Sequence, residues 1–444
     1  MVAAGLARHV TPHARLTLAL SGGVDSVVLL HVLLALRVQH PFHLSAVHVH
    51  HGLSAHADAW ADCCGRLCAS HAVELTVHRV QVARDDAAGI EAAARRERQR
   101  IFAALDTGFL LTAHHRNDQA ETLMLQLLRG AGPKGLAAMA EVQRRRGWLA
   151  VHWRPLLGVT RADLLDYARA HQLAWVEDES NQDTRFRRNA LRQSVLPLLN
   201  THFPGADATL ARAAGLQAEA AELLDDLARL DAVTAILGER LDCACLNALS
   251  MPRARNLLRY FIEQHGHPQP NARQLNEALQ QLRDARKDAR VCVSLGRDEL
   301  WRYRGGAYLV PSTPASAEPV RWQGETVLHV PAAGVDVGLD AVMGEGLKRS
   351  MLEAGVVELG VRQGGERLRL HPGGPHRSLK NLLQEHAIPP WQRDHVPLLW
   401  CNGQLLWAAN IGLDADALAA PGEPGVQPRV VARNEPLTWP LCRQ

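Results

Sequence analysis

The chain has 444 residues, more than one ordinary hydrophobic core serves, so we expect two or three domains. Its 47% hydrophobic and 21% charged residues exclude a disordered chain, and a formal net charge of +3 does not by itself indicate a nucleic-acid partner. The 8 cysteines include no Cys-x-x-Cys pair, and no apolar run is long enough to span a bilayer. The composition therefore favours a globular protein of the reducing cytoplasm, with no membrane partner.

Short apolar runs alternate with longer periodic segments across residues 15–200. We predict strands at 16–20, 44–49, 73–80 and 109–113, and helices at 26–37, 90–105 and 119–128. Alternating strands and helices are typical of an α/β fold with a Rossmann-like parallel sheet that helices cover on both faces.

The pattern changes after "THFPGAD" at 201–207, where Pro204 and Gly205 break the preceding helix. Ala- and Leu-rich helical periods follow, and then strand-like alternation. A segment rich in Pro and Gly comes next, which suggests a linker with some strand, and a second ordered region follows it. We predict a first domain at 1–204 and a mainly helical middle domain at 205–315. A linker at 316–350 and a small α+β C-terminal domain at 351–444 follow.

A glycine-rich hexapeptide lies between the first predicted strand and the first predicted helix. It consists of Ser21, Gly22, Gly23, Val24, Asp25 and Ser26. A strand that enters a helix through glycines brings free backbone N–H groups and the positive end of the helix dipole to one point, where an anion binds. Asp25 would repel a bare phosphate, so Mg²⁺-bound pyrophosphate is the favoured ligand. A tight turn with Asp25 or Ser26 as helix N-cap explains the same residues without a ligand.

A second polar segment follows the fourth predicted strand and contains His114, Asp118 and Glu121. The carboxyl ends of parallel strands are where open α/β sheets bind ligands, so we expect these side chains near the hexapeptide. Asp118 as N-cap and Glu121 three residues later would also form a capping box. Capping does not exclude a role in the site.

The hexapeptide resembles the PP-loop of the ATP pyrophosphatases, which cleave ATP between its α and β phosphates. "TAHHRNDQAETLMLQLLRGAGPKGL" at 112–136 resembles the His-His-x-x-Asp-Gln-x-Glu-Thr signature of the tRNA(Ile)-lysidine synthetase family. Further similar segments lie at 46–54, 89–98, 154–164, 175–192 and 377–400. Two positions depart from the family pattern: Asn117, where many relatives carry Asp, and Gln99, where an aromatic residue is expected.

The resemblance implies a PP-loop ATP-binding catalytic domain, a substrate-binding middle domain and a tRNA-binding C-terminal domain. It further implies ATP and Mg²⁺ as cofactors, and as substrates the tRNA(Ile) with a CAU anticodon and free L-lysine. ATP would adenylate C2 of the wobble cytidine, and the ε-amino group of lysine would then displace AMP. Since lysine attacks only as a neutral amine, such a site needs a base or a desolvating pocket.

The resemblance also implies roles for individual residues. The hexapeptide would bind ATP, and Asp118 with His114 would orient or deprotonate the lysine. Glu121 would bind the lysine ammonium group or a metal, and Arg95 would stabilise the developing phosphate charge or contact tRNA. The residues expected to contact tRNA are Arg98, Arg188 and Lys380.

Two other functions remain open from the sequence. A PP-loop tRNA sulfurtransferase usually needs a suitably placed catalytic cysteine pair, and the absence of Cys-x-x-Cys counts against it. A nucleotide- and RNA-binding protein without turnover is disfavoured by Asp25, His114, Asp118 and Glu121. A zinc site among the histidines and cysteines at 48–68 is also disfavoured, because the cysteines lack zinc-finger spacing.

Overall fold

A computed structural model describes residues 1–87, 89–177, 179, 183–267, 269–285, 291–312 and 318–431. The chain divides into two compact units, Met1–Leu227 and Ala228–Gln444. Within the described ranges, every helix is too short or too polar to cross a membrane.

The first unit alternates strands and helices, as its hydrophobic pattern predicts. Its elements are α1 Val2–His9, β1 Arg15–Ala19, α2 Val24–Leu36, β2 His43–His50, α3 Ala57–Ser70, β3 Glu74–Arg79, α4 Ile90–Ala103, β4 Phe109–Leu111, α5 Arg116–Leu127, α6 Pro133–Leu136, β5 Val142–Gln143, β6 Val151–Trp153, α7 Arg161–Ala170, α8 Arg187–Ala190, a π-helical turn Leu191–Val195, α9 Leu196–His202 and α10 Ala206–Ala235. The last helix, α10, begins in this unit and ends in the second.

One six-stranded sheet organises the first unit, in the order β3-β2-β1-β4-β6-β5. All its neighbours are parallel except the short edge strand β5, which is antiparallel to β6. Leu16 and Leu18 of β1 pack with α1, α2 and α7 on one face, while Val47 and Leu110 pack with Phe102 of α4 on the other. These two cores confirm the predicted Rossmann-like sheet, because an apolar central strand requires cover on both faces.

The strand order determines where a ligand can bind. The chain runs outward from β1 to β2 and β3 in one direction and from β4 to β6 in the other, so the order reverses between β1 and β4. β1 and β4 pair in register, with Leu18 beside Leu111. The loops after both strands therefore meet at the same crevice, which is the usual binding position in such sheets.

The second unit begins with helices and continues as sheets. Its elements are β7 Ile236–Leu237, β8 Arg240–Asp242, α11 Cys243–Ala248, α12 Met251–Gln264, α13 Ala272–Asp284, β9 Val291–Ser294, β10 Asp298–Tyr303, β11 Gly306–Pro311, β12 Val320–Arg321, β13 Val327–Val330, β14 Val335–Met343, β15 Leu347–Lys348, α14 Arg349–Ala354, β16 Val357–Gly360, β17 Arg367–Leu368, β18 Arg377–Ser378, α15 Leu379–Glu385, α16 Pro390–Arg393, β19 Leu398–Cys401, β20 Gln404–Ala408, β21 Gly412–Leu413, a 3-10 turn Ala415–Ala417 and β22 Pro424–Val431.

The helices α11 to α13 share a core with the sheet β7-β8-β11-β10-β9, in which Phe261, Leu279 and Leu300 are buried. Two further sheets, β12-β16-β19-β20-β21 and β13-β14-β22-β15, share a second apolar core. The helical middle region and the α+β C-terminal region thus agree with the predicted fold class.

The linker predicted at 316–350 differs from the structure. The described part of that range contains β12 to β15: β12 pairs with β16, β13 pairs with β14, and both β14 and β15 pair with β22. β14 alone pairs with β22 over eight residue positions, from Asp336 opposite Val431 to Met343 opposite Pro424. Residues 318–350 therefore belong to the C-terminal sheets, because their main-chain groups are satisfied by strands that follow much later in the chain. The other predicted boundaries remain predictions.

Candidate active site

The hexapeptide forms a turn that only glycine at position 22 can make. Gly22 has a φ of +87°, and a Cβ atom there would lie 2.8 Å from Val176 Cγ2 and 3.2 Å from Cys64 Sγ. Its carbonyl oxygen accepts a hydrogen bond from the Val176 N–H at 3.0 Å. Gly23 has an ordinary φ of −71°. Backbone freedom is therefore needed at Gly22 and not at Gly23.

Helix α2 begins directly after this turn with no side-chain cap. Its N-cap is Gly23, so neither Asp25 nor Ser26 caps the helix, which corrects the ligand-free reading of the sequence. Ser26 Oγ instead donates to the Gly23 carbonyl oxygen at 2.9 Å and lies 3.1 Å from Ser21 Oγ. The two hydroxyls brace the turn, and the uncapped helix N-terminus suits an anion.

Asp25, the one carboxylate of the hexapeptide, lies in the first turn of α2. Its Oδ1 atom is buried and has no hydrogen-bond partner among the described residues, while Oδ2 lies 3.8 Å from His115 Nε2. Burial raises the pKa of Asp25, and its electrostatic interaction with His115 opposes that rise only in part. A buried carboxylate oxygen without a donor is a place where a cation would be stabilised.

His115 is the N-cap of α5 and joins Asp25 to Asp118. Its ring Nδ1 accepts a hydrogen bond from the backbone N–H of Asp118 at 3.4 Å, and the backbone N–H of His115 donates to Asp118 Oδ2 at 2.9 Å. The capping box is therefore His115 with Asp118, and the predicted box of Asp118 with Glu121 is wrong. Since Nδ1 accepts, we assign the ring proton to Nε2, which faces both carboxylates.

Asp118 and Glu121 lie in a network with two arginines. Arg188 Nε donates to Glu121 Oε2 at 2.6 Å and its Nη2 donates to Asp118 Oδ1 at 2.8 Å. Arg192 Nε donates to Glu121 Oε1 at 2.6 Å and its Nη2 donates to Asp118 Oδ1 at 3.2 Å. Glu121 is fully buried, and the two arginines supply its carboxylate oxygens with charged hydrogen-bond donors.

The pKa values in the network follow from these contacts. Burial alone would raise the pKa of Asp118, but His115 and Arg188 outweigh it and hold that pKa below its usual range. The carboxylates in turn raise the pKa of both arginines against the effect of burial. Asp118 and both arginines are therefore charged at neutral pH.

His114 forms its hydrogen bond outside the capping box. Its Nδ1 lies 2.7 Å from Thr112 Oγ1, which also lies 2.8 Å from His152 Nε2. Burial lowers the pKa of His114 to about 3, and the positive charge of Arg154 adds to the effect although Asp118 opposes it. His114 is therefore neutral at physiological pH.

Several arginines give this edge of the sheet a positive field. Arg95 and Arg98 lie exposed on α4, and the charge of Arg95 contributes to lowering the pKa of Arg145 and of Arg154, behind the effect of burial. Gln99, the other departure from the family pattern, accepts a hydrogen bond from Arg145 Nη1 at 2.6 Å. Cations that disfavour one another's charge are stabilised by an anion.

The structure brings some of the predicted residues together and leaves others apart. The hexapeptide, Asp118 and Glu121 meet at the crevice, and Arg188, expected on the tRNA surface, lies among them. Lys380 is exposed on α15 in the second unit. Sequence reasoning missed Arg192 and gave no role to His115. A signal for Arg192 existed, because Arg188 and Arg192 are four residues apart, as helical neighbours are, and Asp118 and Glu121 are three apart.

The nearby cysteines and histidines form a packed interior. His48 Nδ1 lies 2.8 Å from the Leu20 carbonyl oxygen and 3.7 Å from Cys64 Sγ. Burial raises the pKa of Cys64 to about 12 and that of Cys68 to about 11, so both thiols are unreactive. The described residues include no group of three or more His, Cys, Asp or Glu side chains that could hold a metal ion.

Three family models match the chain. A PP-loop domain matches residues 3–199, a TilS substrate binding domain matches 241–308, and a TilS substrate C-terminal domain matches 357–431. The chain is 45% identical over 424 residues to a tRNA(Ile)-lysidine synthase from Azoarcus sp. (strain BH72), covering 95% of this chain and 93% of the relative. It is 41% identical, with the same coverage, to a tRNA(Ile)-lysidine synthase from Nitrosomonas europaea.

Among solved structures, the chain is similar to the U34-tRNA thiolase NcsA from Methanococcus maripaludis. The identity is 19% and the TM-score 0.41, over 48% of this chain and 75% of the thiolase chain.

Proposed function

We propose, since the chain belongs to the tRNA(Ile)-lysidine synthase family, that it ligates lysine to C2 of the wobble cytidine (position 34) of the CAU-anticodon tRNA(Ile). ATP adenylates the cytidine and releases pyrophosphate, and lysine then displaces AMP. The observation that carries the proposal is the meeting of a PP-loop with a buried cluster of two carboxylates and two arginines.

The hexapeptide is assigned to the phosphates of ATP. The uncapped N-terminus of α2 offers backbone N–H groups to the phosphates, and Gly22 allows their close approach. Asp25 fits a Mg²⁺ ion, since its Oδ1 is buried without a partner among the described residues. When bound, Mg²⁺ would neutralise phosphate charge and set the orientation of the pyrophosphate.

The arginines of α4 are assigned to anions outside the turn. The cytosine oxygen is a weak nucleophile, so catalysis at the α-phosphate depends on positioning and on charge stabilisation. Arg95 suits the developing phosphate charge or tRNA, and Arg98 suits the tRNA backbone. Lys380, exposed on the second unit, is assigned to tRNA as well.

The carboxylate–arginine network is assigned to free lysine. Lysine carries two ammonium groups and one carboxylate, and Asp118, Glu121, Arg188 and Arg192 offer matching charges of both signs. Because the pKa values of Asp118 and His114 are both held low, these groups orient the amine better than they deprotonate it. Desolvation of the ε-amino group beside neutral His114 supplies the neutral nucleophile.

One assay tests this function. The protein is incubated with ATP, MgCl₂ and an unmodified tRNA(Ile) transcript, with and without labelled lysine. Lysine incorporation with equimolar AMP release is the expected result. AMP release that depends on a sulfur donor would instead identify a sulfurtransferase, and tRNA binding with neither product would identify a binding protein.

A further inference from the structure

Two adjacent residues of α5 hold the two ends of one segment, residues 188–207, which we call the strap. At its start, Arg188 and Arg192 contact the carboxylate of Asp118. At its end, the Asn117 side-chain amide Nδ2 donates to Asp207 Oδ2 at 2.6 Å. The two ends of the strap therefore contact neighbouring residues of α5, Asp118 and Asn117, at the candidate site.

The side chain of Asn117 joins three elements. While Nδ2 donates to Asp207 at the start of α10, Oδ1 accepts from the Arg161 N–H at the start of α7, at 3.0 Å. A side-chain amide carries both N–H donors and an acceptor oxygen, and this position uses one contact of each kind. An ionised aspartate would satisfy Arg161 but could not donate to Asp207.

Asp207 depends on that contact. Its Oδ1 atom is buried and has no hydrogen-bond partner within the described ranges, so Asn117 supplies the hydrogen bond that the described structure gives this carboxylate. A second carboxylate at position 117 would place two negative charges within hydrogen-bond distance, where one of them must move or protonate.

The strap itself has a geometry that requires fixed ends. Arg192 lies in the π-helical turn Leu191–Val195, which holds one more residue per turn than an α-helix. Gly205, with a φ of +81°, lies in the short turn between α9 and α10. Since the strap is helical from Arg188 to His202, a shift of Asp207 would be passed along it to the arginines.

We propose that Asn117 is a positioning residue. Through Asp207 it fixes the far end of the strap, and so sets Arg188 and Arg192 against Asp118 and Glu121. The inference rests on the proposed function, which assigns those four groups to lysine. It also explains the departure of Asn117 from the family pattern, because Asp207 requires a donor there.

A charge swap tests the proposal. Asn117→Asp, Asp207→Asn and the double variant are compared with the wild type for kcat and for the KM values of lysine and ATP. Asp207→Asn keeps a hydrogen bond to Asn117 and should change the lysine KM less than about threefold. Asn117→Asp should raise the lysine KM about tenfold with the ATP KM unchanged. The double variant, with the donor moved to position 207, should return the lysine KM to within about threefold of the wild type.

The outcomes separate this proposal from the proposed function. A wild-type protein that incorporates no lysine overturns the function itself. An active wild type with an unaffected Asn117→Asp variant, or a double variant as impaired as Asn117→Asp, overturns the positioning role alone. Thermal unfolding checks that each variant is folded. If Asn117→Asp does not fold, Asp207→Ala decides, since it removes the acceptor without adding a charge and should raise the lysine KM selectively.

Discussion

Arginine–carboxylate pairs occur in both units, and the cluster of the first unit differs in its surroundings from an exposed pair of the second. In the first unit, Asp118 and Glu121 are buried and each contacts two arginines. In the second unit, Arg349 and Glu353 form a pair at 2.7 Å in which both side chains are more than half exposed. An exposed pair of this kind contributes little to stability, whereas a buried pair depends on each partner. The surroundings of a charged group, and not the charge alone, mark the functional site.

The largest effect is expected from Asp118→Asn. Asparagine preserves the shape and can still accept from the His115 N–H, but it removes the charge that faces Arg188 and Arg192. We expect lysine incorporation to fall at least about 100-fold, with the free energy of unfolding reduced by about 1–3 kcal/mol. Single-turnover incorporation and chemical denaturation measure the two effects. Near-normal turnover would show that Asp118 serves only in the capping box of α5 and has no role in the reaction.

The second prediction compares the loss of stability and of ATP binding in Gly22→Ala with the losses in Gly365→Ala, a variant of the second unit. Both glycines have nearly the same φ, +87° and +88°, but only at Gly22 would a Cβ contact other atoms. We expect Gly22→Ala to cost about 2–4 kcal/mol of stability and to weaken ATP binding, and Gly365→Ala to cost about 1–2 kcal/mol with ATP binding unchanged. Calorimetric unfolding and ATP titration provide the comparison. Equal losses in the two variants would show that backbone strain alone is responsible.

The third prediction compares the loss of stability and the kinetic change in Arg192→Ala with those in Arg349→Ala, which removes the arginine of the exposed pair. The first removes two hydrogen bonds from buried Glu121, and Arg188 remains as its partner. We expect a loss of about 1–3 kcal/mol and a rise in the lysine KM, against less than about 1 kcal/mol and no kinetic change for Arg349→Ala. Steady-state kinetics and denaturation at matched salt measure this. A lysine KM that Arg192→Ala leaves unchanged would contradict the assignment of Arg192 to the site.

The smallest effect concerns pH. The folded-state pKa of His114, about 3, lies below its ordinary value of 6.5, so the folded protein resists the proton that the unfolded chain accepts. Stability from this source is present above pH 6.5 and is lost as the pH falls toward 3. His114→Gln should make the fall in melting temperature between pH 6.5 and 4 shallower by a few degrees. His371→Gln, an exposed site in the second unit, should leave the slope unchanged, and a parallel change in both would contradict the prediction.

Features encoded by neighbouring residues were predictable. The parallel sheet follows from apolar runs such as Leu16–Leu20, and the PP-loop follows from six consecutive residues. The carboxylates of α5 were found because they follow a predicted strand. In each case a local pattern determines the structure.

Features made by distant residues were not predictable. The contact of Gly22 with Val176 and that of Asp118 with Arg192 join segments far apart in the chain. The range 318–350 was predicted as a linker with some strand and not as part of the C-terminal sheets, because its Pro- and Gly-rich sequence has a weak period. The strand β22, which pairs with β14 and β15, lies about 80 residues or more later in the chain.

The double pairing in the first unit also has a consequence for synthesis. The two carboxylates of α5 precede their arginine partners by 67–74 residues. On a translating ribosome that separation lasts roughly 3–15 s. During that interval Asp118 and Glu121 lack their arginine partners, and burying them would be unfavourable. We therefore expect the nascent chain to keep α5 undocked until the arginines have left the exit tunnel, so that the catalytic unit completes its fold late in its own synthesis.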